Sequence, residues 1–135
     1  KYRFIDDLTS DVMFEAYGKD LKEVFENAAE AMMSVICQIE KVGQRESREV
    51  EVSGGNEKDL MLNWLQELIA LVDIEGMFFS RFDIRKITPT NIRAVVYGES
   101  ATPEKGETVV KAVTYYNFSF EKTDNGYVAR VSLDI

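Results

Sequence analysis

The feature that most constrains this fold is a segment, from about Glu57 to Val72, that is apolar around most of a helical circumference. Its apolar residues are Leu60, Met61, Leu62, Trp64, Leu65, Leu68, Ile69, Leu71 and Val72. A helix of this kind is buried on several sides and does not lie on the surface. The rest of the chain must therefore provide more than one layer to cover it.

A second helix is predicted from Asp20 onward. Asp20 can cap its first turn, and Glu23 follows three residues later, as in a capping box. Apolar residues then recur at helical spacing as far as Ile39, while Lys22, Glu26 and Glu30 occupy the opposite face. This pattern predicts an amphipathic helix with one face in the core.

The other ordered segments have the two-residue alternation or β-branched content of strands. Asp124-Asn125-Gly126 is a strong hairpin turn between the last two. We expect one domain over residues 1–135 of α+β class, with two helices packed on one face of a mixed, largely antiparallel sheet, a two-layer sandwich. The predicted strands are Tyr2–Asp6, Val12–Tyr17, Glu49–Val52, Met77–Phe82, Ile92–Tyr97, Thr108–Glu121 and Tyr127–Ile135.

Two residue types limit the chemistry. The chain has no histidine, which removes the usual general base, the Ser-His and Cys-His pairs, and imidazole-dependent zinc sites. Cys37 is the only cysteine, so no internal disulfide forms. Because Cys37 lies in an apolar stretch, we interpret it as a small buried hydrophobe and not as a nucleophile.

The net charge of −8 argues against binding RNA or DNA alone, since such binding depends on Lys and Arg neutralising phosphates. An excess of acidic residues favours binding to a basic protein partner or a metal ion, although it also keeps a protein soluble. No apolar run approaches the roughly 20 residues of a membrane span, and no secretory signal is recognisable. We therefore expect no membrane partner and a cytoplasmic location.

Carboxylates occur near both ends of the chain. Asp134 lies on the polar face of the last strand beside the carboxylate of Ile135, and Asp11 precedes the alternating strand near the N-terminus. If those strands pair, the groups converge into oxygen ligands for Mg²⁺, Ca²⁺ or Mn²⁺. Sequence spacing does not prove convergence, and each aspartate also reads as ordinary surface charge. Asp6 and Asp7 could add negative charge nearby.

Two further segments allow two interpretations each. Lys111, among apolar neighbours, fits either a solvated strand residue or a buried catalytic lysine, and with Asp6 and Asp7 it is a candidate partner-facing residue. The Gly-rich turn before Asn56 suits either phosphate binding at a helix N-terminus or a simple turn capped by Asn56. The full phosphate-loop pattern is missing.

Several motifs together resemble the archease family. Leu62 to Ile69, continuing through Asp73-Ile74-Glu75-Gly76, resembles its second helix, and Lys111 to Tyr115 resembles a later strand. The ending Ala129 to Ile135 is also similar, as are Thr9-Ser10-Asp11 and Ala16-Tyr17-Gly18 near the N-terminus. Where many archeases have histidine, this chain has Leu8 and Tyr116.

The resemblance implies an accessory protein of the RtcB-type tRNA-splicing ligase, which joins RNA ends through its own guanylylated histidine. Such a protein accelerates ligase guanylylation and turnover, is not itself an enzyme, and meets RNA only through the ligase. The resemblance also implies a divalent-metal site formed by Asp11, Asp134 and the carboxylate of Ile135. Any role of the family's two histidines is lost or replaced here.

Two other function classes remain open at this point. One is a general chaperone or interaction module for RNA-modifying enzymes, with no specific effect on ligase chemistry. The other is a metal-dependent phosphoesterase, which the missing histidine and the few converging acids disfavour.

Overall fold

The computed structural model describes residues 1–5 and 11–135. In chain order, its elements are β1 (Tyr2–Ile5), β2 (Val12–Gly18), α1 (Leu21–Ile36), a 3-10 turn (Ile39–Lys41), β3 (Glu46–Ser53), α2 (Glu57–Glu75), β4 (Met77–Thr88), β5 (Asn91–Ser100), β6 (Ala112–Thr123) and β7 (Gly126–Asp134). Within this part of the chain, neither helix is both long and apolar enough to cross a membrane.

The strands form two antiparallel sheets. One has the order β1-β2-β7-β6, and the other has the order β3-β5-β4. Each helix contacts strands of both sheets, so the core lies around the helices. The predicted α+β class is confirmed, whereas the strands divide between two sheets where we expected one. The apolar circumference of α2 accounts for the division, because a single sheet face covers only one side of a helix.

The two helices are linked to each other through the core. Trp64 of α2 is fully buried, and its indole Nε1 donates a 3.0 Å hydrogen bond to the carbonyl oxygen of Phe25 in α1. The Gln66 side chain connects α2 to the four-stranded sheet. Its Oε1 accepts a 2.5 Å hydrogen bond from the backbone N–H of Val113. These contacts set the position of α2 against both α1 and β6.

Helix α1 begins as predicted and ends earlier than predicted. Asp20 accepts a 2.8 Å hydrogen bond from the backbone N–H of Glu23, whose carboxylate in turn accepts from the N–H of Lys19 at 3.2 Å. The helix ends at Ile36 because Cys37 is extended and pairs with Gly106. That distant pairing interrupts the apolar stripe that pointed to a longer helix.

Helix α2 begins with a cap. The side chain of Asn56 accepts a 2.9 Å hydrogen bond from the N–H of Asp59, which supports the simple-turn interpretation of the preceding glycines. The helix continues to Glu75, and Gly76 closes it in the left-handed conformation at φ 61°.

Strand β6 starts at Ala112, four residues later than predicted. The preceding segment is held elsewhere, since the N–H groups of Glu107 and Thr108 donate to the last carbonyls of α1. A register irregularity interrupts the pairing with β7 between Thr114 and Ser119, and Asn117 has a positive φ of 51° there. The predicted hairpin turn joins β6 to β7.

Candidate functional site

The pairing of β2 with β7 relates the two predicted aspartates. Val12 faces Leu133 in this antiparallel ladder. Asp11 immediately precedes Val12 and Asp134 immediately follows Leu133, so continuing the same register by one residue would place Asp11 opposite Asp134. Opposed residues on one face of such a pair have Cβ atoms about 4.5–5.5 Å apart. Both aspartates are half-buried.

The end of β7 is held from its other side as well. Asp134 pairs with Ala112 of β6, and its carbonyl oxygen accepts a 2.7 Å hydrogen bond from the N–H of Lys111. Ile135 is half-buried and packs against the core. The Lys111 side chain is exposed, as the solvated interpretation requires, so this residue contributes to the site through its backbone.

Two predicted accessory acids, Asp6 and Asp7, lie outside the described residues, as does Leu8. Tyr116, where the resemblance implies a histidine in many family members, is 51% exposed on β6.

The candidate site at this end of the sheet offers oxygen atoms as its ligands. Within residues 1–5 and 11–135, no three side chains of His, Cys, Asp or Glu come together as a metal site. Asp11 and Asp134 therefore need a further donor, and the carboxylate of Ile135 is the one that the family resemblance implies. Oxygen donors of this kind fit hard divalent cations.

Two buried hydroxyls lie beside the aspartates. Ser132 is fully buried and faces Thr114 across the β6–β7 pair. In the part of the chain that the structure describes, neither hydroxyl has a hydrogen-bond partner. By strand alternation Ser132 shares its face with Asp134, so these hydroxyls fit a polar group bound there. Sequence alternation identified this polar face, but it carried no signal that Ser132 would be buried.

A charged network occupies the same sheet face further along β7. The Glu15 carboxylate accepts hydrogen bonds from Arg130 Nε and Nη2 at 3.1 and 2.7 Å. Tyr17 Oη and Arg3 Nε donate to its other oxygen at 2.8 and 3.1 Å. The Arg130 hydrogen bond is the largest cause that lowers the pKa of Glu15, although burial opposes it. Sequence reasoning missed this network because Arg130 lies 115 positions from Glu15 in the chain.

Cys37 fits its structural interpretation. Burial chiefly, then the charges of Glu40 and Glu107, raises the pKa of its thiol to about 12. Its Sγ lies 3.4 Å from the carbonyl oxygen of Met33. A thiol with this pKa stays protonated near neutral pH and is a poor nucleophile.

Over the described residues, these features define an α+β protein with two helices, two antiparallel sheets and a candidate site of oxygen ligands at one sheet end. The Archease protein family model matches residues 2–135. Protein archease of Methanosarcina acetivorans is 40% identical over 141 residues, covering 100% of this chain and 96% of the relative. That of Pyrococcus abyssi is 40% identical over 134 residues, covering 94% of each. The chain belongs to the archease family.

Solved structures agree with this assignment. The solution structure of a Methanobacterium thermoautotrophicum protein superposes with a TM-score of 0.84 at 34% identity, covering 99% of this chain and 98% of that one. The Thermotoga maritima archease, described as a possible chaperone, superposes at 0.65 with 18% identity, covering 97% and 94%. The second likeness concerns the fold alone. The family resemblance drawn from the sequence motifs is confirmed.

Proposed function

We propose that this protein is a metal-binding activator of an RtcB-type RNA ligase in tRNA splicing and RNA repair. It promotes guanylylation and turnover of the ligase and is not itself a catalyst. Membership of the archease family supports the accessory role. The observation that carries the metal-centred version is the pairing of Val12 with Leu133, the immediate neighbours of Asp11 and Asp134.

The absence of histidine favours an accessory role over direct catalysis of guanylyl transfer. The ligase reaction proceeds through a guanylylated histidine, and this chain has none. The nucleotide must therefore be carried by the partner. The net charge of −8 complements a basic, phosphate-binding cleft, where RNA and guanine nucleotide are bound by the ligase and not by this protein.

Three groups of this chain would hold the cation: the side chains of Asp11 and Asp134 and the carboxylate of Ile135. A bound Mg²⁺, Ca²⁺ or Mn²⁺ would supply positive charge for orienting phosphate oxygens. The chain orients the ligands through the backbone of β7, since Asp134 is hydrogen-bonded to Lys111 and pairs with Ala112. Ser132, on the same strand face as Asp134, and Thr114 opposite it would add hydroxyl oxygens at this end of the sheet.

The test combines metal binding with ligase kinetics. Purified ligase is incubated with guanine nucleotide and RNA bearing joinable ends, with and without this protein, and the rates of guanylylation and joining are measured. We expect Asp11→Asn and Asp134→Asn to lower divalent-metal affinity by calorimetry and to abolish the acceleration. Asp124→Asn, on the exposed hairpin turn, is the matched control and should retain both.

Two outcomes would count against this proposal. An unchanged ligase rate with wild-type protein removes the activator role. If both site variants accelerate the ligase fully, the protein is an activator that does not use the metal. One extra residue after Ile135 tests the terminal carboxylate separately, since it displaces that group while leaving both aspartates in place. The same addition before Lys1 serves as its control.

A general chaperone or interaction module for RNA-modifying enzymes is the second candidate. Exposed aliphatic side chains at Ile74 and Val109, 77% and 75% accessible, offer apolar surface for such a role. This function predicts that aggregation of unrelated proteins is suppressed equally by wild type and Asp134→Asn. Suppression limited to the ligase would contradict it.

A further inference from the structure

A cavity of about 460 Å³ opens where the C-terminal ends of α1 and α2 meet the segment 101–110. We call it the α-end groove. Its floor is apolar and consists of Ile36, Ile69, Phe78 and Val110, each less than a tenth exposed. The volume lies in the range of pockets that bind ligands or partner side chains.

The wall of the α-end groove is held in place by the backbone. The N–H groups of Glu107 and Thr108 donate to the carbonyls of Ile36 and Val35 at 2.9 and 3.1 Å. Gly106 pairs with Cys37 just beyond the end of α1. These hydrogen bonds satisfy carbonyls at the end of α1 and attach the wall to that helix. The groove is therefore preformed.

The charges at its rim have one sign. Asp73 and Glu107 are the charged side chains among the described residues that line it. Neither carboxylate has a hydrogen bond or an ion pair within the described chain. Lys105, two residues from Glu107, is engaged with Glu99 at 2.7 Å and does not neutralise the rim. The groove thus complements a cation attached to an apolar group.

Apolar surface continues beyond the cavity. Val109 at its edge is 75% exposed, and Ile74, next to Asp73, is 77% exposed. A small molecule inside the cavity would leave most of this surface in water, whereas a polypeptide segment would cover it.

We propose that the α-end groove binds a basic, apolar segment of a partner protein. One apolar side chain enters the cavity, and Lys or Arg residues on either side meet Asp73 and Glu107. The segment 109–111 leads directly to the candidate metal end, because Lys111 hydrogen-bonds to Asp134. The identification of the partner as the ligase rests on the proposed function. The preference of the groove for a basic, apolar segment does not depend on it.

The test is a peptide titration monitored by amide resonances in the presence of EDTA. The probe is a blocked pentapeptide with leucine between lysine and arginine. Two matched peptides replace the leucine by glycine, or both basic residues by glutamate. We expect the probe to shift the resonances of Ile69, Phe78 and Val110, and both matched peptides to bind more weakly.

Protein variants then test the rim. Asp73→Asn combined with Glu107→Gln should weaken the probe roughly three- to tenfold, as expected for two exposed ion pairs. The pair Glu121→Gln and Asp124→Asn, near the β6–β7 turn, should have no effect. Asp134→Asn should also bind the probe normally, which separates this proposal from the metal site.

Four results would overturn the proposal: equal binding of all three peptides, an unaffected rim variant, groove resonances that shift on dilution of the protein alone, or hexylammonium binding as tightly as the probe. The third result assigns the groove to a second copy of this chain. The fourth assigns it to a small cation.

Discussion

Replacing Glu15 by glutamine should destabilise the protein by about 2 kcal/mol at neutral pH. The side chain of Glu15 is only 11% exposed, and both of its oxygens accept hydrogen bonds from charged or hydroxyl donors. Glutamine keeps one acceptor oxygen, so its NH₂ group faces either Arg130 or the donors of Arg3 and Tyr17, and the charge-assisted hydrogen bonds are weakened or lost.

The magnitude follows from the exposure of each partner. Arg3 is 62% exposed and contributes little, because solvent screens its ion pair. Arg130 is 40% exposed and makes two hydrogen bonds to one oxygen, which places its contribution between those of surface and buried pairs. A loss of about 2 kcal/mol in a domain of this size lowers the melting temperature by roughly 6–10 °C.

The pH dependence provides the sharper test. The pKa of Glu15 is lowered in the folded state, so its contribution is complete above the ordinary value of about 4.5 and is lost as pH falls through the folded pKa. The stability difference between wild type and Glu15→Gln should therefore be largest at pH 7 and shrink on acidification toward pH 2–3.

Urea unfolding followed by circular dichroism at pH 7, 5 and 3 measures this difference. Glu121→Gln, an exposed residue of the same sheet, is the control and should change stability by less than about 0.5 kcal/mol. The reasoning is refuted if Glu15→Gln matches that control at pH 7, or if its deficit is the same at every pH.

Three further changes test the packing. Gly98→Ala should lower the free energy of unfolding in urea by about 3 kcal/mol, because the new Cβ would overlap the backbone carbonyl of Phe78. A variant as stable as wild type would contradict the close approach of β4 and β5. Trp64→Phe should cost about 3 kcal/mol through lost core volume and the lost hydrogen bond to Phe25, measured by circular dichroism; a loss below about 1 kcal/mol would show that this contact is dispensable. Cys37 should react with a thiol reagent at pH 8 only as fast as the protein opens, so rapid labelling of the native protein would argue against its burial and its pKa of about 12.

Local signals in the sequence predicted the parts of the fold that depend on local interactions. Asp20 and Asn56 each cap a helix within three residues of themselves, so both helix starts were readable. The end of α1 could not be predicted locally, because it depends on pairing between Cys37 and Gly106. The division into two sheets was equally non-local.

The candidate site shows the same limit. Strand alternation identified Asp134 and Ser132 as sharing one face, but only the strand register relates Asp134 to Asp11. Burial of Ser132 depends on what packs over the sheet, which a two-residue period does not encode. The Glu15–Arg130 contact joins residues 115 positions apart, beyond the reach of any local pattern.

The position of β7 also sets the order in which the sheet can be completed. This strand lies between β2 and β6, so until it is made β2 lacks one neighbour, and the β1–β2 pair presents an open edge. The β2–β7 ladder joins strands that are more than a hundred residues apart in the chain. Contacts between such distant residues favour slow folding. During synthesis, the edge of β2 is therefore open to association with other chains until β7 has been made.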